Sequence, residues 1–176
     1  MMRVAVCFIL LWLLGGCSSP ALDACALLDN EAVEKAMGSR MKRQESDVSI
    51  NNGRLSSSAC YMDFENGLHA KVVTEEYSDE AYRDNMRNGI GVFRQRTEDK
   101  DMTEALGYPA FASGKHEFLE ADVTEDRFLY IHLRDDGSQR VARQDSGPGW
   151  AIAKFERDAV PNARDKLIAI AQAIDF

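Results

Sequence analysis

Three histidines are the residues of this chain best suited to acid–base or metal chemistry: His69, His116 and His132. They lie far apart in the sequence and form no metal-binding spacing such as His-x-x-x-His. His69 and His132 fall in segments predicted to be strands, so they could meet across a sheet. We interpret all three as ordinary surface or half-buried histidines and expect no metal site.

Carboxylates are abundant, with 29 aspartate and glutamate residues. Asp99 and Asp101 have the spacing of a calcium-binding loop, which also needs glycine at its sixth position and glutamate at its twelfth. Those positions are Glu104 and Ala110 here, so the pattern fails. Two carboxylates could act as general acid and base only where the fold brings them together, and the sequence singles out no such pair.

The sequence has no G-x-S-x-G nucleophile elbow, no phosphate-binding loop and no dinucleotide-binding glycine motif. Gly89-Ile90-Gly91 is a short glycine fragment without a predicted strand before it, and we interpret it as a turn. The sequence therefore predicts no catalytic residues, no cofactor and no enzyme activity.

The amino-terminal segment carries a more specific signal. An apolar run of 11 residues, Val4 to Leu14, follows Arg3. A membrane-spanning helix needs about 20 apolar residues, so this run is too short, and its charged start and small-residue end are typical of a secretory signal. The run ends in Leu14-Gly15-Gly16-Cys17. This tetrapeptide resembles the lipobox of bacterial lipoproteins.

The resemblance implies a signal peptide over residues 1–16, followed by a lipidated tether, residues 17–23, and a single globular domain, residues 24–176. Cys17 would receive a diacylglycerol through its sulfur, and its new amino group is often acylated too, for example with palmitate. Two or more acyl chains attach a protein stably to a membrane, whereas one holds it only marginally. The alternative is an ordinary signal cut elsewhere, with Cys17 free or paired.

By the same family analogy, Ser18 in place of aspartate favours the outer membrane, facing the periplasm, if the host has two membranes. Otherwise the anchor would lie on the outer face of the cell membrane. The formal net charge of −8 argues against binding to nucleic acid or to anionic lipid. Lipid would therefore hold the protein on the membrane. We expect a protein partner, and the acidic surface would suit a basic one.

Two cysteines remain once Cys7 leaves with the signal and Cys17 carries lipid: Cys25 and Cys60. In an oxidising compartment such a pair predicts one disulfide. Two free thiols, or half of a metal site, are the alternatives. Closing this loop should stabilise the fold by roughly 3–4 kcal/mol in the chain-entropy model.

The first half of the domain is predicted to contain a helix and a hairpin. The helix begins at the N-cap Asp29 and ends at Gly38. Residues 40–59 are polar and predict a loop with at most a short strand at residues 47–50. Apolar residues alternate on both sides of Asn66-Gly67, which predicts a β-hairpin with a type I′ turn.

A second helix, capped by Ser78, is predicted to stop or kink near Gly89, which leaves residues 92–97 as a strand. Strands are also predicted around Leu119–Val123 and over Phe128–Leu133. Further on, a strand is predicted around Arg140–Arg143, while Trp150–Phe155 could be strand or helix. Pro161 starts an amphipathic C-terminal helix.

This order predicts an α+β fold, with an antiparallel sheet and N-terminal, middle and C-terminal helices packed mainly on one face. Cys25-Ala26-Leu27-Leu28, followed by a helix and then by Cys60 before an aromatic residue, is similar to small envelope lipoproteins of unknown function. The resemblance implies a disulfide between the first helix and the first strand, and it implies no known chemistry.

Two loop-like stretches carry large apolar side chains: Tyr108–Phe111 and Gly147–Trp150. Such side chains can serve as binding residues, but we interpret them as covering the edge of the protein's own core. For function, we expect a non-catalytic envelope lipoprotein that binds a protein partner in an accessory or assembly role. The alternative is an inhibitor or immunity lipoprotein that neutralises a toxin or hydrolase. An enzyme acting on envelope polymers is the weakest hypothesis.

Overall fold

The structure is a computed structural model that describes residues 23–51, 54–96, 100–101, 103–113, 117–124, 126–135, 140–143, 153–156 and 160–176. Its elements in chain order are α1 (Asn30–Met37), β1 (Met41–Asn51), β2 (Leu55–Phe64), β3 (Leu68–Tyr77), α2 (Glu80–Arg96), β4 (Lys100–Asp101), α3 (Thr103–Leu106), β5 (Ala110–Ser113), β6 (Phe118–Asp122), β7 (Arg127–Asp135), β8 (Arg140–Arg143), β9 (Ala153–Glu156) and α4 (Ala163–Gln172). Seven strands form one antiparallel sheet in the order β1-β2-β3-β7-β6-β5-β4, and β8 pairs with β9. The predicted α+β class is confirmed.

The main hydrophobic core lies between one face of the sheet and the helices α1, α3 and α4. Alternate residues of the strands point to this face because successive side chains of a strand point to opposite sides. From the helices, Val33, Leu167 and Ile170 are fully buried in this core, and Leu106 packs against it. The prediction of helices mainly on one face holds for these three helices.

The middle helix is the exception, because α2 contributes to a second, smaller cluster on the opposite face. That cluster consists of Tyr77, Phe111 and Phe128, with Met86 of α2 packed against it. Phe128 precedes Leu129, which belongs to the main core, so the two neighbours on β7 point to opposite faces. Buried side chains therefore lie on both faces of the sheet at the end where α2 begins.

The ends of α1 are capped by the predicted residues, whereas the N-cap of α2 lies one residue after the predicted one. The Asp29 carboxylate accepts the backbone N–H groups of Glu31 and Ala32 at 3.1 and 3.2 Å, and Gly38 ends α1 in the left-handed region at φ 67°. Both predictions are confirmed. The cap of α2 is Asp79 rather than Ser78, since its carboxylate accepts the N–H of Ala81 at 3.0 Å. Serine and aspartate are about equally good caps, so the sequence alone did not separate these neighbours.

The predicted stop near Gly89 and the strand after it are wrong, because α2 continues to Arg96. Glycine disfavours a helix interior by about 1 kcal/mol relative to alanine, but unlike proline it keeps the backbone N–H that the helix needs. The ladder of hydrogen bonds can therefore pass through Gly89 and Gly91.

The predicted loop over residues 40–59 is also wrong, because β1 pairs with β2 from Met41 to Asn51. β1 lies at the edge of the sheet, and several of its side chains, such as Lys42 and Glu45, are exposed. Charged edge strands protect a sheet from pairing with other chains. They also lack the apolar alternation by which a strand is recognised in a sequence.

The β2–β3 hairpin is confirmed, with Met62 opposite Ala70 and Asp63 opposite His69. Its turn differs from the predicted type I′. The N–H of Gly67 donates to the carbonyl of Phe64 at 3.1 Å, and Gly67 is left-handed at φ 81° whereas Asn66 is not. A type I turn followed by a left-handed glycine gives a three-residue loop.

The later elements agree with the sequence. β7 contains the predicted strand Phe128–Leu133, and β6 contains Leu119 to Asp122 of the other but ends before Val123. β8 matches residues 140–143, and β9 assigns part of the ambiguous segment to a strand. The C-terminal helix begins at Ala163, just after Pro161. Its predicted apolar face is buried or partly buried at Val160, Ala163, Leu167, Ile170, Ala171 and Ile174.

A buried glutamate joins the start of β6 to the segment before α4. Glu117 is 2% exposed, and its carboxylate accepts the backbone N–H of Val160. Its own carbonyl accepts the N–H of Leu133 at 2.8 Å. Glu117 therefore fixes the position at which the chain enters α4.

Replacing Glu117 with alanine should lower the free energy of unfolding by about 1–3 kcal/mol, because the buried N–H of Val160 loses its acceptor. Glu117→Gln keeps a carbonyl oxygen at this place and should cost clearly less. Urea denaturation of both variants measures the difference. Equal losses in the two variants would show that the hydrogen bond to Val160 is not the reason for burying this side chain.

Candidate functional site

The start of the domain is fastened to the sheet by a disulfide and two hydrogen bonds. Cys25 is bonded to Cys60, with a Cα–Cα distance of 4.9 Å, and Cys60 is fully buried in the middle of β2. The N–H of Ala24 donates to Ser58 Oγ at 3.0 Å, and Ser46 Oγ donates to the Asp23 carboxylate at 2.6 Å. Any pull on the chain before Asp23 is therefore transmitted directly to β1 and β2.

The predicted lipidation residue Cys17, the signal peptide and most of the tether lie outside the described residues. None of the helices in the part of the chain that the structure does describe is long and apolar enough to span a membrane.

The first turns of α2 present an acidic surface with an exposed aromatic ring. Glu80 and Asp84 lie one turn apart on the same side of the helix and are exposed. Tyr82 is 53% exposed and lies on a different side, because residues two apart on a helix do not face each other. We call these three residues the acidic patch. The Asp79 carboxylate, which caps the helix, adds negative charge beside the patch. Exposed carboxylates, with an exposed tyrosine on the same two turns of the helix, suit a positively charged protein surface.

Four basic side chains lie together on the sheet face opposite the main core. β3 contributes His69 and Lys71, and β7 contributes His132 and Arg134. In the register of the two strands, His69 stands opposite Arg134, and Lys71 stands opposite His132. Because residues two apart on a strand share a face, the four side chains form a two-by-two square, which we call the basic block.

A hollow of about 410 Å³ lies over the basic block, and its lining includes all four of these residues together with Tyr61 and Asp63 of β2. Asp63 Oδ1 lies 2.6 Å from His69 Nδ1. Tyr61, which is 40% exposed, places its ring centroid 5.1 Å from Lys71 Nζ. On the opposite side, the Phe118 ring of β6 stacks on the His132 ring with centroids 6.0 Å apart.

Two tyrosines and a glutamate lie on the same sheet face, nearer to α2. The Tyr77 hydroxyl donates to the Glu75 carboxylate at 2.6 Å. Burial raises the pKa of Tyr77 far above its usual value, and the bond to Glu75 raises it further. Burial is also the main cause that raises the pKa of Tyr130, with added repulsion from the negative charges of Glu75 and Glu120. Both phenols are therefore neutral over the physiological pH range.

This cluster predicts a loss of stability at alkaline pH. In the unfolded chain the tyrosines lose their protons near their usual pKa of about 10, whereas in the folded protein Tyr77 and Tyr130 keep them. The unfolded state then binds fewer protons, so the free energy of unfolding should stay level below about pH 9 and fall as pH rises beyond about 10. Denaturant unfolding between pH 8 and 11 measures this decline, and Tyr77→Phe should make it shallower. An unchanged slope in that variant would contradict the assignment to Tyr77.

The other residues considered in the sequence are placed as follows. His69 and His132 do meet on one sheet face, as their predicted strands allowed, while His116 and Asp99 lie outside the described residues. Within the described part of the chain, no group of three or more His, Cys, Asp or Glu residues is arranged to hold a metal ion.

Of the two aromatic stretches, the first packs into the protein, as expected: Phe111 is 6% exposed in the second cluster and Tyr108 packs against the main core. Gly147–Trp150 lies outside the described residues.

The sequence did not predict Lys71, Arg134 or the acidic patch as functional residues. Apolar and polar residues alternate along β3 and β7. This pattern could have indicated that Lys71 and Arg134 face away from the core.

The fold and the disulfide define the structural class of the protein. It is a small disulfide-bonded α+β domain whose antiparallel sheet carries three helices on one face. Comparison of the chain with protein-family models, with curated proteins and with solved structures gives no match.

Proposed function

We propose that the chain is a non-catalytic lipoprotein of the bacterial cell envelope that is anchored through Cys17 and binds a basic protein partner. The observation that carries the binding role is the acidic patch: the carboxylates of Glu80 and Asp84 are exposed on one side of the first turns of α2, and the Tyr82 ring on the same turns is 53% exposed. The formal net charge of −8 extends the attraction over a longer range, because complementary charge speeds the encounter of two proteins.

The anchored location is supported by two independent features. The Leu14-Gly15-Gly16-Cys17 segment resembles a lipobox, and the Cys25–Cys60 disulfide is typical of an oxidising compartment outside the cytoplasm. The tether from Cys17 to Asp23 can span roughly 20 Å when extended. A domain held this closely would meet its partner beside the membrane.

Site-specific crosslinking tests the proposed binding surface. A photoreactive phenylalanine analogue in place of Tyr82 should capture the partner in cells, whereas the same analogue in place of Tyr61, an exposed aromatic beside the basic block, should capture it far less. A partner that is an envelope-assembly protein would indicate an accessory role, and a toxin or hydrolase would indicate inhibition. Equal capture from both positions, or none from Tyr82, would contradict the proposal.

Neutralising the acidic patch should weaken the complex. Glu80→Gln combined with Asp84→Asn leaves the Asp79 cap intact, and we expect about a tenfold weaker affinity for the captured partner, mainly at low salt. The matched control is Glu31→Gln combined with Asp165→Asn, which removes two exposed carboxylates from α1 and α4. If the control weakens binding as strongly, only the overall charge matters.

A further inference from the structure

We infer that the hollow over the basic block is a binding site for a small organic anion that carries a carboxylate or a phosphate group. The site is distinct from the acidic patch and opposite in sign. It depends neither on the lipid anchor nor on the proposed protein partner, because all of its residues belong to β2, β3 and β7.

The charge of the hollow is unusual for this chain. The protein has a formal net charge of −8, yet Lys71 and Arg134, both cationic at neutral pH, share one hollow of about 410 Å³. Diagonal neighbours on paired strands are still within reach of long side chains, so the two cations repel each other although they are not directly opposite. A bound anion between them would offset this repulsion, so the arrangement is suited to an occupied site.

The geometry of the square allows a single anionic group to reach both cations. Lys71 and Arg134 occupy diagonal corners, with His132 opposite Lys71 and His69 opposite Arg134. Diagonal neighbours on paired strands lie about 7–8 Å apart, so long side chains can converge on an oxygen placed above the centre. Arginine can bind a carboxylate or phosphate through two parallel hydrogen bonds, and lysine adds a point charge.

The borders of the hollow limit what can enter. The carboxylate of Asp63 lies beside His69 and would repel an anion from that side, which directs it towards Lys71 and Arg134. The Lys71 ammonium lies over the Tyr61 ring, so this ring forms the border of the hollow next to the cation. The volume of about 410 Å³ falls within the range of about 300–1,000 Å³ that is usual for small-molecule sites.

Titration of the full chain in detergent with two probes, inorganic phosphate and citrate, tests this inference. We expect saturable binding of at least one probe by calorimetry in about 150 mM salt, where screening suppresses unspecific attraction. Arg134→Gln and Lys71→Gln should each weaken that binding about tenfold. The preferred probe shows whether the site favours phosphate or carboxylate groups.

The matched control is Lys42→Gln, which removes an exposed cation from β1 outside the hollow and should leave the affinity unchanged. Circular dichroism confirms that each variant is folded before it is titrated. The inference is overturned if neither probe binds saturably, or if Lys42→Gln weakens binding as much as Arg134→Gln does.

Discussion

Replacing Cys25 with serine should lower the free energy of unfolding by about 4 kcal/mol under oxidising conditions. The bond closes a loop between residues 35 positions apart, and the chain-entropy model gives about this value for a loop of that length. For a domain of this size such a loss corresponds to a decrease of about 10 °C in the melting temperature. Thermal unfolding followed by circular dichroism measures it.

The same experiment under reducing conditions provides the control. Once the wild-type disulfide is reduced, its melting temperature should fall to that of Cys25→Ser, and the variant itself should change little. Cys25 is the better position for the substitution, because it is partly buried whereas Cys60 is fully buried. A variant that loses equal stability with and without reductant would show that the loss comes from packing and not from the crosslink.

Phe128→Ala should lower the free energy of unfolding by about 3–5 kcal/mol. Phe128 is fully buried, and the Tyr77 ring meets it edge-on with centroids 5.5 Å apart. Removing the Phe128 ring leaves a cavity in the small cluster on the α2 side of the sheet, where few other residues are available to fill it. Urea denaturation gives the loss directly.

Phe118→Ala is the matched control for this prediction. Phe118 lies on the neighbouring strand and faces the same side of the sheet, but it is only partly buried and stacks on His132. We expect less than half of the loss seen for Phe128→Ala, because less apolar surface returns to water. Similar losses at the two positions would contradict the description of Phe128 as the centre of the second cluster.

Local features of the fold could be predicted from the sequence where the physical cause is itself local. The cap at Asp29, the left-handed Gly38 and the β2–β3 hairpin all depend on residues a few positions apart. β1 could not be recognised, since an edge strand with charged side chains lacks apolar alternation. The continuation of α2 through Gly89 was missed because helix propensity alone does not decide where a helix ends.

The two candidate surfaces depend on contacts that sequence reasoning could not supply. The basic block forms only because β7 pairs with β3, although about sixty residues separate Lys71 from His132 in the chain. Alternation assigns each residue to a face of its own strand, but it does not say which strands are neighbours. The acidic patch is readable as sequence, but the 53% exposure of Tyr82 depends on how α2 packs on the sheet, where Met86 is partly buried against the second cluster.

We propose that lipid on Cys17 holds the domain at a membrane. Intact-mass spectrometry of the full chain, expressed in a bacterium with two membranes, tests it most directly. The expected product is a polypeptide that begins at Cys17 and carries added mass for a diacylglycerol, with or without a further acyl chain. The Cys17→Ser variant should lack this addition. A mature protein with an unmodified Cys17, or with its first residue elsewhere, would contradict the claim.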